Sequence, residues 1–188
     1  MKVVSVQCGS AQAMLVQGRN VMTAYAKTEV RGPVSVGPMG LQGDEQADRS
    51  VHGGLAKAVY AYPREHLPFW QTVRAQARVS AWGDALSPGA FAENLSTEGL
   101  LENRLWIGDR LRLPGCELLV SAPRLPCAKF AAAMGFAQAT RLMVQSGYCG
   151  FYLGVLQGGV VQAGDPIELL PGPREVSIAE LFRAQARS

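Results

Sequence analysis

Residues 123–129 read Pro-Arg-Leu-Pro-Cys-Ala-Lys and put one thiol at the junction of a loop and a helix, between two cations. Pro123 and Pro126 hold the approach extended, because a proline ring disfavours the helical region for the residue before it. The run 128–134 has helix-forming composition, which predicts Cys127 in the first helical turn. Unpaired N–H groups in such a turn, with Arg124 and Lys129 nearby, favour the thiolate, the form that attacks electrophiles and binds soft metals. The same cysteine can also be read as a small buried hydrophobe beside an alanine-rich helix. A second group of residues is needed to choose.

That group begins with Gly40-Leu41-Gln42-Gly43-Asp44-Glu45-Gln46-Ala47-Asp48-Arg49-Ser50-Val51-His52-Gly53-Gly54, followed by Lys57-Ala58-Val59-Tyr60-Ala61-Tyr62-Pro63-Arg64-Glu65-His66. Gly89-Ala90-Phe91-Ala92-Glu93-Asn94-Leu95, Ile107-Gly108-Asp109 and the Pro-Cys loop complete it. In this order the pieces resemble the MOSC family, named for the C-terminal domain of molybdenum cofactor sulfurase, over residues 12–170. Within the family the chain is most similar to the bacterial stand-alone proteins that reduce N-hydroxylated purine bases.

The resemblance implies a mainly β fold: a closed or nearly closed antiparallel β-barrel, pyruvate-kinase-barrel-like, with a few inserted short helices. It implies a molybdenum cofactor of the molybdopterin type, with Cys127 at the position of the family's molybdenum-ligating or sulfur-carrying cysteine. It also implies N–O bond reduction with electrons from an external reductase, since the sequence carries no Rossmann fingerprint, flavin signature or cluster-binding cysteine set. Two other readings use the same residues. Cys127 could carry a persulfide with no permanent metal, or the domain could be a non-catalytic binding barrel.

A pterin phosphate needs cations, hydroxyls and free N–H groups. Thr23 and Lys27 lie in 21–28, which looks like the family's early anion-binding segment, and Arg141 falls in the helix after the cysteine, where similar proteins bring a basic residue to the cofactor. His52, Gly53 and Gly54 could present an imidazole and unhindered N–H groups to an anion, or form a strained turn feeding the next strand. Asn94 can donate and accept at a pterin edge, while Glu93 can bridge to a loop cation and Asp44 orient its loop. Tyr60 and Tyr62 share one strand face, for packing or for stacking on a purine-like substrate. Cys8, Cys116 and Cys149 lack the context of Cys127 and read as structural.

These residues need a scaffold, and 188 residues with 48% apolar content suffice for one compact core. A formal charge of +3 from 18 basic and 15 acidic side chains gives no polybasic run, hence no case for duplex nucleic acid. The four cysteines contain no C-x-x-C pair, and no segment reads as a secretory signal or membrane span, so free thiols in the cytoplasm are expected. Strands are expected at 2–7, 13–16, 34–36, 56–61, 104–107, 110–113, 117–121, 151–156, 160–161 and 167–170, bounded by Gly, Pro or Asp.

Helices are expected at 62–77, broken or kinked at Pro68, and at 128–144 in two pieces separated by Gly135, the second ending near Gly147. A capping box at Ser177 and Glu180 opens a third helix with Ile178, Leu181 and Phe182 on one face. The division is then 1–172 for the barrel domain and 173–188 for a helical stub, which either docks on the barrel or pairs with another copy as a homodimer.

Overall fold

The computed structural model describes residues 1–47 and 53–187. Its strands are β1 (Lys2–Cys8), β2 (Gln12–Val16), β3 (Arg19–Thr23), β4 (Thr28–Glu29), β5 (Val34–Gly37), β6 (Gly40–Leu41), β7 (Val59–Pro63), β8 (Leu95–Glu98), β9 (Arg110–Arg112), β10 (Glu117–Pro123), β11 (Phe151–Gln157), β12 (Gly159–Val161) and β13 (Glu168–Leu170). The helices are α1 (Leu67–Gln76), α2 (Ala128–Met134), α3 (Ala139–Ser146) and α4 (Ile178–Gln185). The protein is therefore mainly β with few helices, as its short apolar runs between turn residues dictate.

The main sheet runs β13-β9-β10-β11-β7-β8-β1-β4, flanked by β12-β5-β6 and by the β2-β3 ribbon. Strand β7 lies between β11 and β8 and is buried at every residue, which explains its unbroken apolar run Val59-Tyr60-Ala61-Tyr62. Its pairing with β8 is parallel, made possible by the long α1 connection, so the sheet is not wholly antiparallel.

Main-chain bonds from Val3 N to Asp165 O (2.9 Å) and from Ile167 N to Met1 O (3.0 Å) tie the start of β1 to the segment entering β13. Only an isolated bridge, Lys2 to Pro166, joins them there. Proline has no N–H to continue a ladder, and among the described residues no sheet closes into a barrel.

Several expected elements are displaced. Pairing with β8 extends β7 to Pro63, so after a 3-10 turn at Arg64–His66 the helix starts at Leu67 and Pro68 falls in its first turn. Residues 55–57 form a 3-10 turn instead of strand. At 104–107 the expected strand gives way to a 3-10 turn ending at Arg104 and one bridge from Trp106 to Ser177. The β2-β3 ribbon was legible only in part: Gln17 and Gly18, with φ of 49° and 78°, make the tight turn that reverses the chain into the unforeseen β3.

The helix ends follow local chemistry. Gly135 caps α2 at φ 84°, and α3 ends at Gly147. The α4 capping box is present, with Glu180 N donating to Ser177 Oγ (3.2 Å) and Ser177 N donating to Glu180 Oε2 (2.9 Å). Ile178 and Phe182 are fully buried in the same core as the sheet residues, so α4 docks on its own chain.

Beneath α1 and α2 lies an aromatic core. Tyr62 stacks on Phe91 with centroids 4.0 Å apart, and Trp70 meets Phe130 edge-on at 5.2 Å. The Trp70 indole N–H donates to the Tyr62 hydroxyl at 2.6 Å, which satisfies the polar atoms of both buried rings. Phe130 and Met134 fix α2 on this core, and α2 in turn fixes the loop that carries Cys127.

Candidate active site

Strand β10 ends at Pro123, and four residues later Cys127 is the N-cap of α2 with an extended backbone (φ −141°, ψ 172°). It thus stands one residue before the first turn. Its half-buried side chain lines a cleft of about 630 Å³, counting the open mouth, together with Thr23, Tyr25, Lys57, Tyr60, Arg124, Lys129 and Tyr152. These come from β3, β7, β11, α2 and the loops between elements, so the sheet and α2 jointly hold the walls. Gly150 permits one wall: at φ 65° a Cβ there would come 2.5 Å from Ala61 O and 2.9 Å from the Tyr60 ring.

The cleft is cationic and aromatic. Arg124 lies over the rings of Tyr60 (5.2 Å) and Tyr25 (5.8 Å), and Lys57 over Tyr152 (5.5 Å). Burial pushes the Tyr25, Tyr60 and Tyr152 hydroxyls above their ordinary range, so they stay protonated at neutral pH. The Tyr60 hydroxyl donates to Cys149 O at 2.8 Å.

The other three thiols are unlike Cys127. All four cysteines are free, but Cys8, Cys116 and Cys149 are buried. Burial, with Asp44 near Cys8, Asp165 near Cys116 and Glu102 near Cys149, raises their pKa values, that of Cys116 to about 11. Iodoacetamide at neutral pH is therefore expected to label Cys127 first, read by peptide mass spectrometry. Equal labelling of a second cysteine in the folded protein would refute this ordering.

The MOSC domain matches residues 48–168 of the sequence. The chain belongs to the MOSC family. It is 37% identical over 177 residues to the uncharacterized protein YflK of Bacillus subtilis, covering 94% of this chain and 76% of that one. It is 34% identical over 157 residues to a protein named reductase from Gibberella moniliformis, covering 83% of this chain but 27% of the fungal one. The crystal structure of YiiM from Geobacillus stearothermophilus superposes with a TM-score of 0.77 at 31% identity, covering 98% of this chain and 83% of that one.

In this MOSC protein the structure gathers Thr23, Lys27, Asn94 and Cys127 around one cleft. Two of them arrive with partners. Lys27 Nζ forms an ion pair with Asp44, both side chains buried, and Asp44 Oδ1 also accepts from Gly9 N (2.9 Å). Asn94 Oδ1 accepts from Tyr60 N (3.0 Å) and its Nδ2 donates to Gln7 O (3.2 Å), so the amide stitches β7 to β1. Among the described residues Glu93 bridges to no loop cation; it accepts from Gly89 N (2.7 Å), Phe91 N (3.0 Å) and Ser96 Oγ (3.0 Å).

Gly53 and Gly54 do not line the cleft. Gly54, at φ 85°, opens the 55–57 turn and donates its N–H to Gln46 Oε1 (2.9 Å), which is the turn-forming alternative for that segment. His52 lies outside the described residues. Arg141 is exposed on α3 and away from the cleft, because α3 buries Ala139 and Met143, on the face opposite Arg141. That helical phase could have been read from the sequence. Tyr60 and Tyr62 share a face but divide it, Tyr60 to the cleft and Tyr62 to the aromatic core. Tyr25, Lys57 and Tyr152 were not anticipated, and no local pattern marks them.

Proposed function

We propose that this cleft binds a molybdopterin-type cofactor with Cys127 as the protein ligand to molybdenum, and that the protein reduces N-hydroxylated bases or related N–O compounds. The observation that carries the reading is the cleft's donor set: the half-buried thiol of Cys127, the other three cysteines being buried elsewhere, beside Arg124, whose Nη1 is buried without a hydrogen-bond partner among the described residues. Thiolate suits a soft metal, and arginine and lysine suit an anionic pterin phosphate. When bound, the group would supply the two-electron chemistry that converts R–NHOH, with two protons, to R–NH2 and water.

The chain's own residues do the rest. Cys127 ligates through sulfur, while Arg124, Lys57 and Lys129 balance the charge of an anionic ligand. The rings of Tyr25 and Tyr60 brace Arg124, and the aromatic wall formed by Tyr60 and Tyr152 would receive an aromatic base. Elemental and pterin analysis of protein from its native host tests the premise. Near-stoichiometric molybdenum and pterin support it, whereas persulfide at Cys127 without metal would favour the sulfur-carrying alternative.

Electron supply is part of the proposal. The purified protein is expected to leave 6-hydroxylaminopurine unchanged with NADH alone and to reduce it once a suitable external reductase is added. Chromatographic detection of adenine in the NADH-only reaction, with trace reductase excluded, would overturn the requirement for a partner.

A further inference from the structure

Arg124 is 3% exposed, and its guanidinium sits against Tyr60, Phe130 at 5.5 Å and Tyr25. Among the described residues its Nη1 has no hydrogen-bond partner. Arginine does not give up its charge, and a buried charged donor left unpaired is costly.

The nearby carboxylates are engaged elsewhere. Asp44 is held by Lys27 and Gly9, Glu45 Oε2 accepts from Ala11 N (2.6 Å), and Glu93 is held by Gly89, Phe91 and Ser96. Among the described residues no carboxylate pairs with Arg124. The cleft wall therefore carries a fixed, aromatic-braced cation with one donor in reserve, flanked by Lys57 and Lys129.

We propose that Arg124 is the anion-binding residue of the cleft, with Nη1 donating to a phosphate-type oxyanion of the ligand. The inference rests on the ligand-binding reading of the same cleft. A planar guanidinium fits a phosphate, and the aromatic rings packed against it limit its freedom before binding. The phosphate belongs either to the pterin cofactor or to a nucleotide form of the N-hydroxylated substrate.

The test is titration of the full chain, produced without the pterin cofactor, with inorganic phosphate while following the guanidinium nitrogen resonances of Arg124. A saturable shift is expected, with phosphate binding weakened about tenfold or more in R124Q and less in R124K, which keeps the charge but loses the fork. Because R124Q removes a buried cation and can unfold the chain, the wild-type titration serves as a readout by itself.

Absence of a shift in folded wild-type protein overturns the proposal. Repeating the titration on cofactor-loaded protein separates the sources: a lost shift assigns Arg124 to the cofactor phosphate, a retained one to the substrate phosphate. Phosphate binding at Arg124 in a chain that never retains molybdenum or pterin refutes the cofactor and leaves the anion site standing. Retention of both with an unresponsive Arg124 does the reverse.

Discussion

Replacing Cys127 with serine is expected to take N–O reduction to background while changing stability by at most about 1–2 kcal/mol. The substitution is nearly isosteric, and at a half-buried N-cap a hydroxyl is well tolerated, since serine is itself a favoured N-cap residue. What disappears is the soft sulfur, because an alcohol is far less acidic than a thiol and gives molybdenum a poor ligand. Molybdenum content and activity per folded molecule should fall together.

Serine at Cys8, Cys116 or Cys149 should behave oppositely. Those thiols are buried, so a hydroxyl there costs stability while specific activity per folded molecule survives. A fully active Cys127→Ser protein would remove the basis of the proposed mechanism.

Lys27→Ala is expected to destabilise the fold by about 3–5 kcal/mol, measured by denaturant unfolding. From sequence, Lys27 is a phosphate ligand whose loss should spare the fold. The structure pairs its ammonium with Asp44, the two side chains only 6% and 7% exposed. Removing one partner leaves a buried carboxylate whose remaining contact includes Gly9 N, and an uncompensated buried charge is far more costly than the loss of an exposed pair.

A double variant tests the cause. Lys27→Met combined with Asp44→Leu removes both charges and should recover much of the stability lost in Lys27→Met alone, a coupling visible as non-additivity. Additive losses, or a Lys27→Ala change below about 1 kcal/mol, would mean that the pair contributes no more than a surface salt bridge. Reduced molybdenum retention in the stable double variant would place Lys27 at the ligand as well.

What could be read along the chain was whatever depends on neighbours in sequence. The capping box at Ser177 and Glu180, the glycine ends of α2 and α3, the strands around Cys127 and the loop that presents it follow from backbone chemistry over a few residues. Motif order likewise identified the family and singled out Cys127. The rest required contacts distant in sequence. Asn94 reads as a ligand until Tyr60 and Gln7 claim its amide, and Lys27 until Asp44 does. Residues 62 and 63 read as entering a helix until β8 pairs with them. In sequence Arg124 reads only as a cation beside Cys127; Tyr25, Tyr60 and Tyr152 surround it because separate strands and loops converge there. Sequence alone singled out side chains whose type suits reactive chemistry, because that suitability is intrinsic to residue type and local backbone. Only the tertiary structure decided which of them are already satisfied, because a hydrogen bond or ion pair belongs to whichever partner folding brings within reach.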